Sequence, residues 1–191
     1  MIEVEKKAVL SNEDFENFHC RLRDRGVRHH CYRQVNHYYD TNNFDLYKTR
    51  ITLRLREKAG VVRLEVKQKQ GIKDGAVISN EKSQVIDKIP ESLELTKIIP
   101  DTDFSHKSAK YLGNLTTQRT DWFFRGYIVS TDINSYLGHL DYEIEIEYSI
   151  ETVCVDWDYL GIAFSEKPEG KYTRFLRLYQ PQLFEDNVYL T

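Results

Sequence analysis

The chain has 191 residues, enough for one domain with a sizeable core and short for two. Hydrophobic residues make up 40% and charged residues 30%, and 27 basic residues against 30 acidic ones leave a formal charge of −3. That balance gives no reason to expect a polyanion such as nucleic acid over the general surface, and the absence of an apolar run of about 18 residues argues against a membrane span.

The cysteines Cys20, Cys31 and Cys154 are odd in number and widely spaced, so neither a disulfide framework nor a zinc site is expected. Charge from Glu3 onward does not fit a signal peptide, and isolated thiols suit a reducing compartment. The expectation is a cytoplasmic protein.

Taken in order, residues 2–9 alternate with period two and predict a strand. Ser11-Asn12-Glu13-Asp14 is a helix start, followed by Phe15, Phe18 and Leu22 at helical spacing, with Gly26 placed to close the helix. Alternation returns over 33–40, 49–57, 61–70 and 77–86. Residues 90–113 are less regular, broken by Pro90 and Pro100, and predict one or two short helices. Strands follow at 116–125, 126–136 and 139–149. Residues 151–164 and 171–180 read as amphipathic helices on either side of Lys167-Pro168-Glu169-Gly170. The expected class is α+β: about eight antiparallel strands with a few helices packed on one side, in a single domain over 1–191.

The polar faces of these strands are sorted by sign. Glu3, Glu5 and Lys7 share one side of the first strand, and Arg54 and Arg56 share a face opposite Ile51, Leu53 and Leu55. Arg63, Glu65, Lys67 and Lys69 align against Val62, Leu64 and Val66. Asp141, Glu143, Glu145 and Glu147 form an acidic face backed by Tyr142, Ile144 and Ile146, and Asp132 and Asn134 carry the rhythm just before it. Carboxylates at alternate strand positions stand only about 7 Å apart and repel one another. Something cationic must offset such a row, and a hard divalent metal does so best through oxygen ligands. If the sheet closes on itself, these faces line a lumen with an acidic wall and basic walls, the composition a metal-bound phosphate chain requires.

These residues resemble the CYTH superfamily, the triphosphate tunnel metalloenzymes. Glu3-x-Glu5-x-Lys7 is similar to its N-terminal ExExK signature, with the register carried by the alternation of Glu3 and Glu5 because residue 6 is a second lysine. Tyr38-Tyr39-Asp40-Thr41, Leu53-Arg54-Leu55-Arg56 and Leu64-Glu65-Val66-Lys67-Gln68-Lys69 resemble further family strands. Glu81, Arg119, Asp132-x-Asn134, Glu143-x-Glu145-x-Glu147, Lys171 and Arg174 follow in the family's order, so the resemblance runs over about residues 2–180. The most similar members are small stand-alone bacterial proteins described as adenylate cyclases or inorganic triphosphatases.

The resemblance implies a closed eight-stranded antiparallel tunnel with helices on the outside, which binds a triphosphate with Mg²⁺ or Mn²⁺. Carried over by position, Glu3, Glu5, Asp132, Glu145 and Glu147 would hold metal, with Glu143 facing the lumen as a ligand or as the holder of a basic residue. Lys7, Arg54, Arg56, Lys67, Lys69, Arg119, Lys171 and Arg174 would bind phosphate oxygens, and Glu65 and Glu81 would support them. Lys7, Asp132, Glu145 and Glu147 would carry the catalysis. The implied reaction is metal-dependent hydrolysis of a triphosphate, foremost inorganic tripolyphosphate. A class IV-type adenylate cyclase, a thiamine or nucleoside triphosphatase, and a non-catalytic polyphosphate or nucleotide module are the alternatives.

The expected partner is a small-molecule triphosphate, without nucleic acid or membrane, bound by a monomer or homodimer. No Ser/His/Asp or Cys/His unit is visible, and phosphoryl transfer needs none. The histidines, including His29, His30 and His37, lack metal spacing, and Trp122 and Trp157 read as core.

Overall fold

A computed structural model of the chain describes residues 2–148 and 155–189, apart from the side chains of 157, 158 and 186–189. Strand β1 (Ile2–Leu10) leads into helix α1 (Asn12–Asp24), whose N-cap Ser11 accepts a hydrogen bond from the Asp14 amide at 3.0 Å. There follow β2 (His29–Asp40), the short α2 (Asp45–Lys48), β3 (Ile51–Lys58), β4 (Val61–Lys73) and β5 (Ala76–Ile86). A short β6 (Ser92–Glu94) and a 3₁₀ turn at Leu95–Lys97 precede β7 (Ser108–Phe123), β8 (Ile128–Tyr136) and β9 (His139–Glu147). Helices α3 (Trp157–Leu160) and α4 (Lys171–Tyr179) and a 3₁₀ segment at Pro181–Tyr189 complete the described chain.

The strands run β2-β3-β4-β5-β1-β9-β8-β7, all antiparallel, and β7 pairs back onto β2 along the whole of that strand, closing an eight-stranded barrel. β6 adds a ninth, three-residue strand alongside the start of β7. The expected tunnel architecture is thus observed. Register brings the charged faces together: Arg119 lies opposite Asp132, Asp132 opposite Glu143, Lys7 opposite Glu145, and Arg54 between Tyr38 and Glu65. A slip of one residue would turn each of these side chains out of the lumen.

Two apolar clusters cover the outside of the wall. Phe18 and Leu22 of α1 pack with Trp122, Val129, Ile144, Ile146 and Leu160, and Leu46, Leu95 and Phe104 pack on Tyr39, Leu53 and Leu55. The third cluster is of another kind. Tyr38 and Tyr136 hold positions on the lumen side of their strands, and they meet Tyr172, Phe175 and Leu176 of α4 together with Leu115. Helix α4 therefore stands across one end of the barrel as a stopper. Gly113 makes room for it: at φ +148, a Cβ there would lie 3.0 Å from Phe175 Cζ.

Some boundaries differ from expectation. β2 begins at His29 and β7 at Ser108, well before the alternating stretches at 33 and 116. A register shift at Tyr38/Tyr39, opposite Gly113 and Tyr111, breaks the period-two pattern in the first half of β7. In 151–164, residues 151–154 lie outside the described residues, and only 157–160 form a helical turn. The predicted helix at 171–180 is α4 almost to the residue. Cys154 is also outside the described residues. No described helix is long and apolar enough to cross a membrane.

Candidate active site

The barrel encloses a cavity of about 1280 Å³ that opens beside α2 and α4. Of the residues expected at the site, Glu3, Glu5, Lys7, Arg54, Arg56, Lys67 and Lys69 line it, as do Arg119, Glu145, Glu147 and Lys171. Asp132 and Glu143 are fully buried behind this surface, and Arg174 lies with them under α4. Glu65 and Glu81 stand beside Arg54, which donates from Nε to Glu65 at 2.8 Å and lies 3.8 Å from Glu81.

One group of ion pairs is closed upon itself. Arg119 grips Asp132 with two bonds, at 2.7 and 2.6 Å, and also donates to Glu145. The Lys171 ammonium sits among Asp132 at 2.8 Å, Glu143 at 2.5 Å and Glu145 at 2.8 Å. These are the three carboxylates whose oxygens converge most closely among the described residues. Arg174 holds Asp141 and Glu143, each at 2.9 Å, and donates to the Glu169 carbonyl at 2.8 Å. Burial alone would raise Glu145 and Asp132, but these cations outweigh it and keep both carboxyls below their ordinary range. Lys7, 2.9 Å from Glu5 and 3.1 Å from Glu145, is held above its ordinary range against the cost of burial.

Toward either side of this group the charges fail to balance. The Glu147 carboxylate forms no ion pair or hydrogen bond among the described residues. Burial, and then the neighbouring Glu3, pushes its carboxyl up. Glu81 is pushed up by burial against the pull of Arg54. Glu5 departs in the other direction: burial works against its charge, yet Lys7 and Lys67 bring it down to about 2. On the basic wall, burial and the adjacent Arg54 lower Arg56, whose Nε donates to Asn36 at 3.0 Å. Burial, then Arg50 and Lys7, lower Lys69. Among the described residues, the Glu147 carboxylate on one wall and the Lys69 ammonium on another are left without a counter-charge in contact.

The donor set formed by Glu3, Glu5, Glu145 and Glu147 is all carboxylate oxygen and crowded, with lysines or an arginine already on Glu3, Glu5 and Glu145 and none in contact with Glu147. Oxygen donors of this kind fit a hard divalent cation. Asp132 and Glu143 are already saturated by Arg119, Lys171 and Arg174.

Other participants are not expected at the site from the sequence: nothing singles out Asn36, and Asp40 and Asp141 stand in a strand motif and an acidic face without an assigned role. Buried Asn36 steers Arg56, and Asp141 anchors Arg174. Asp40 accepts hydrogen bonds from the amides of Thr41 (2.7 Å), Leu46 (3.0 Å) and Tyr47 (3.0 Å) and from the Tyr172 hydroxyl (2.7 Å). It thereby ties α2 to the stopper helix. Trp122 is buried in the outer core, as expected, and His29 and His30 are exposed.

The family model of the CYTH domain matches residues 1–157. The chain belongs to the CYTH domain family. A relative, YjbK of Bacillus subtilis (strain 168), provisionally named a triphosphatase, is 31% identical over 164 residues, covering 82% of this chain and 79% of its own. Among solved CYTH-like structures, a Bacillus halodurans protein provisionally named an adenylate cyclase superposes with TM-score 0.69 at 28% identity. That match covers 91% of this chain and 96% of the other. HpAC1 of Hippeastrum, provisionally named an adenylyl cyclase and described with a dominant triphosphatase activity, gives TM-score 0.67 at 19% identity. It covers 91% and 94% of the two chains, a likeness of fold.

Proposed function

We propose that this CYTH protein hydrolyses a triphosphate, inorganic tripolyphosphate foremost, in a reaction that depends on Mg²⁺ or Mn²⁺. The observation that carries the reading is the pair of unbalanced walls in one enclosed cavity. The Glu147 carboxylate and the Lys69 ammonium form no ion pair among the described residues, and burial pushes the first upward and the second downward. A wholly anionic chain bound together with a cation relieves both walls at once. The name of YjbK points the same way.

Arg54, Arg56, Lys67, Lys69 and Lys7 bind phosphoryl oxygens on this reading. Glu65 holds Arg54 through Nε, with Glu81 3.8 Å from its Nη2, and so orients the guanidinium toward the substrate. Glu3, Glu5, Glu145 and Glu147 would hold the divalent cation, which supplies Lewis-acid polarisation and activates the attacking water when bound. Asp132 and Glu143 hold Arg119 and Lys171 in position, so that these donors face the charge that grows on the leaving oxygens without reorganising. The tunnel domain extends past residue 157, because α4 contributes Lys171 and Arg174 to it.

Phosphate release is measured from tripolyphosphate, ATP and thiamine triphosphate in parallel, each with Mg²⁺, Mn²⁺ or EDTA. Release from tripolyphosphate that EDTA abolishes is the expected result, with Glu147→Gln and Glu145→Gln each reducing kcat by about 100-fold or more. Cyclic AMP and pyrophosphate formed from ATP would replace this reading with a cyclase, and full activity in EDTA would remove the metal from it.

A further inference from the structure

Within the tunnel, Lys7, Lys67, Arg54, Arg56, Arg119 and Lys171 each lie within 3.5 Å of a carboxylate. At the rim beside α2 the pattern reverses. Lys48, Arg50 and Lys167 line the same cavity, and none of their charged groups forms an ion pair or hydrogen bond among the described residues. The carboxylates close by are drawn elsewhere: Asp45 to Lys107 at 2.8 Å, and Glu169, also on the lining, to Arg177 at 2.7 Å.

Arg50 and the segment ahead of Lys167 both lie against β4 or its turn into β5. Arg50 sits at φ +61, a left-handed conformation uncommon for a side chain of its size, with its amide bonded to the Tyr47 carbonyl at 2.9 Å. Its own carbonyl accepts from the Lys69 amide at 3.0 Å, so the rim continues directly into the basic wall. Gly75, at φ +72, lets the segment ahead of Lys167 pass the β4–β5 turn; a Cβ there would stand 3.2 Å from the Ser165 carbonyl oxygen. Cations gathered at one opening without counter-charges repel one another, and only an anion at the rim turns that repulsion into attraction.

We infer that Lys48, Arg50 and Lys167 form a second phosphate subsite at the mouth. It takes the fourth and later phosphoryl groups of a linear condensed phosphate whose first three fill the lumen. A nucleoside leaving the lumen here would meet ammonium and guanidinium groups, whereas another phosphoryl group meets the charge it lacks. The inference rests on the triphosphate reading of the lumen and extends it to longer chains.

The test is calorimetric titration in EDTA, where turnover is suppressed, with tripolyphosphate and tetrapolyphosphate as probes. The wild-type protein is compared with the Lys48→Gln/Arg50→Gln/Lys167→Gln variant, whose three positions are exposed and outside the core. Wild type is expected to bind tetrapolyphosphate about tenfold more tightly than tripolyphosphate, and the variant to bind the two alike. Equal affinities in wild type, a preference that survives in the variant, or equal losses for both probes would overturn the subsite. Phosphate release with Mg²⁺ separates the two readings. Turnover of tripolyphosphate without a chain-length preference removes the subsite alone. A preference that the variant loses, with no turnover, keeps the subsite and removes the hydrolase.

Discussion

Asp40 has no exposed surface, and its four hydrogen bonds all come from neutral donors. Burial raises its carboxyl above the ordinary value in spite of them. Three of the donors are backbone amides, two of them in the first turn of α2 where helical partners are lacking, so the carboxylate collects N–H groups rather than meeting a cation. An asparagine is nearly the same shape but offers one acceptor oxygen, and its NH₂ would face another donor. Asp40→Asn should therefore lower the unfolding free energy by about 1–3 kcal/mol, read from urea denaturation. An unchanged midpoint would mean the cradle contributes nothing net.

At the scale of elements, the stopper helix is the most exacting part. Arg174 is the counter-charge for Asp141 and shares Glu143 with Lys171, so Arg174→Ala leaves buried carboxylate without its partner. That substitution should cost about 3–5 kcal/mol. Gly113→Ala should cost about 1–3 kcal/mol through backbone strain and by driving a methyl group against Phe175. Both should speed proteolysis within residues 165–170, the approach to α4, and resistance equal to wild type would show that α4 is not seated by these contacts.

The strands of the barrel were legible because one apolar and one charged face force strict alternation, as in Leu53-Arg54-Leu55-Arg56. The charged site was legible for the same reason: sign segregation survives in the linear order. What could not be read was anything fixed by side chains reaching across the fold. Helix α2 exists because Asp40 caps it from the end of β2, and the first half of β7 is hidden by the bulge at Gly113. Equally, Asp132 and Glu143 look like any other lumen carboxylate in sequence, and only the placement of Lys171 and Arg174 tells them apart from Glu147.

For the molecule as a whole, the lumen is a store of pH-dependent stability. Glu5 is held at about 2 against an ordinary 4.5, and Glu65, Asp132, Asp141 and Glu145 are displaced in the same direction. A carboxyl lowered on folding stabilises the protein above its unfolded pKa, and that contribution disappears as pH falls toward the folded value. Glu5 alone represents on the order of 3 kcal/mol. Asp40, Glu81 and Glu147 are shifted upward and act in the opposite sense, which softens the loss. Urea midpoints should decline steeply between about pH 4.5 and pH 2. A flat profile across that window would mean that the lumen pairs are offset by their own desolvation.

The seam between β2 and β7 carries a consequence for how the protein is made. β2 finds β3 after a short connection, but its other edge waits for a strand that starts at Ser108 and pairs residue 40 with residue 110. Until then β2 offers a bare edge of the kind that recruits other chains. Closure is a long-range event, slow on the scale set by contact order, and the electrostatic matching of the walls can reward it only once it has happened. The feature that gives the finished tunnel its continuous wall therefore makes the half-built chain dependent on protection from its neighbours.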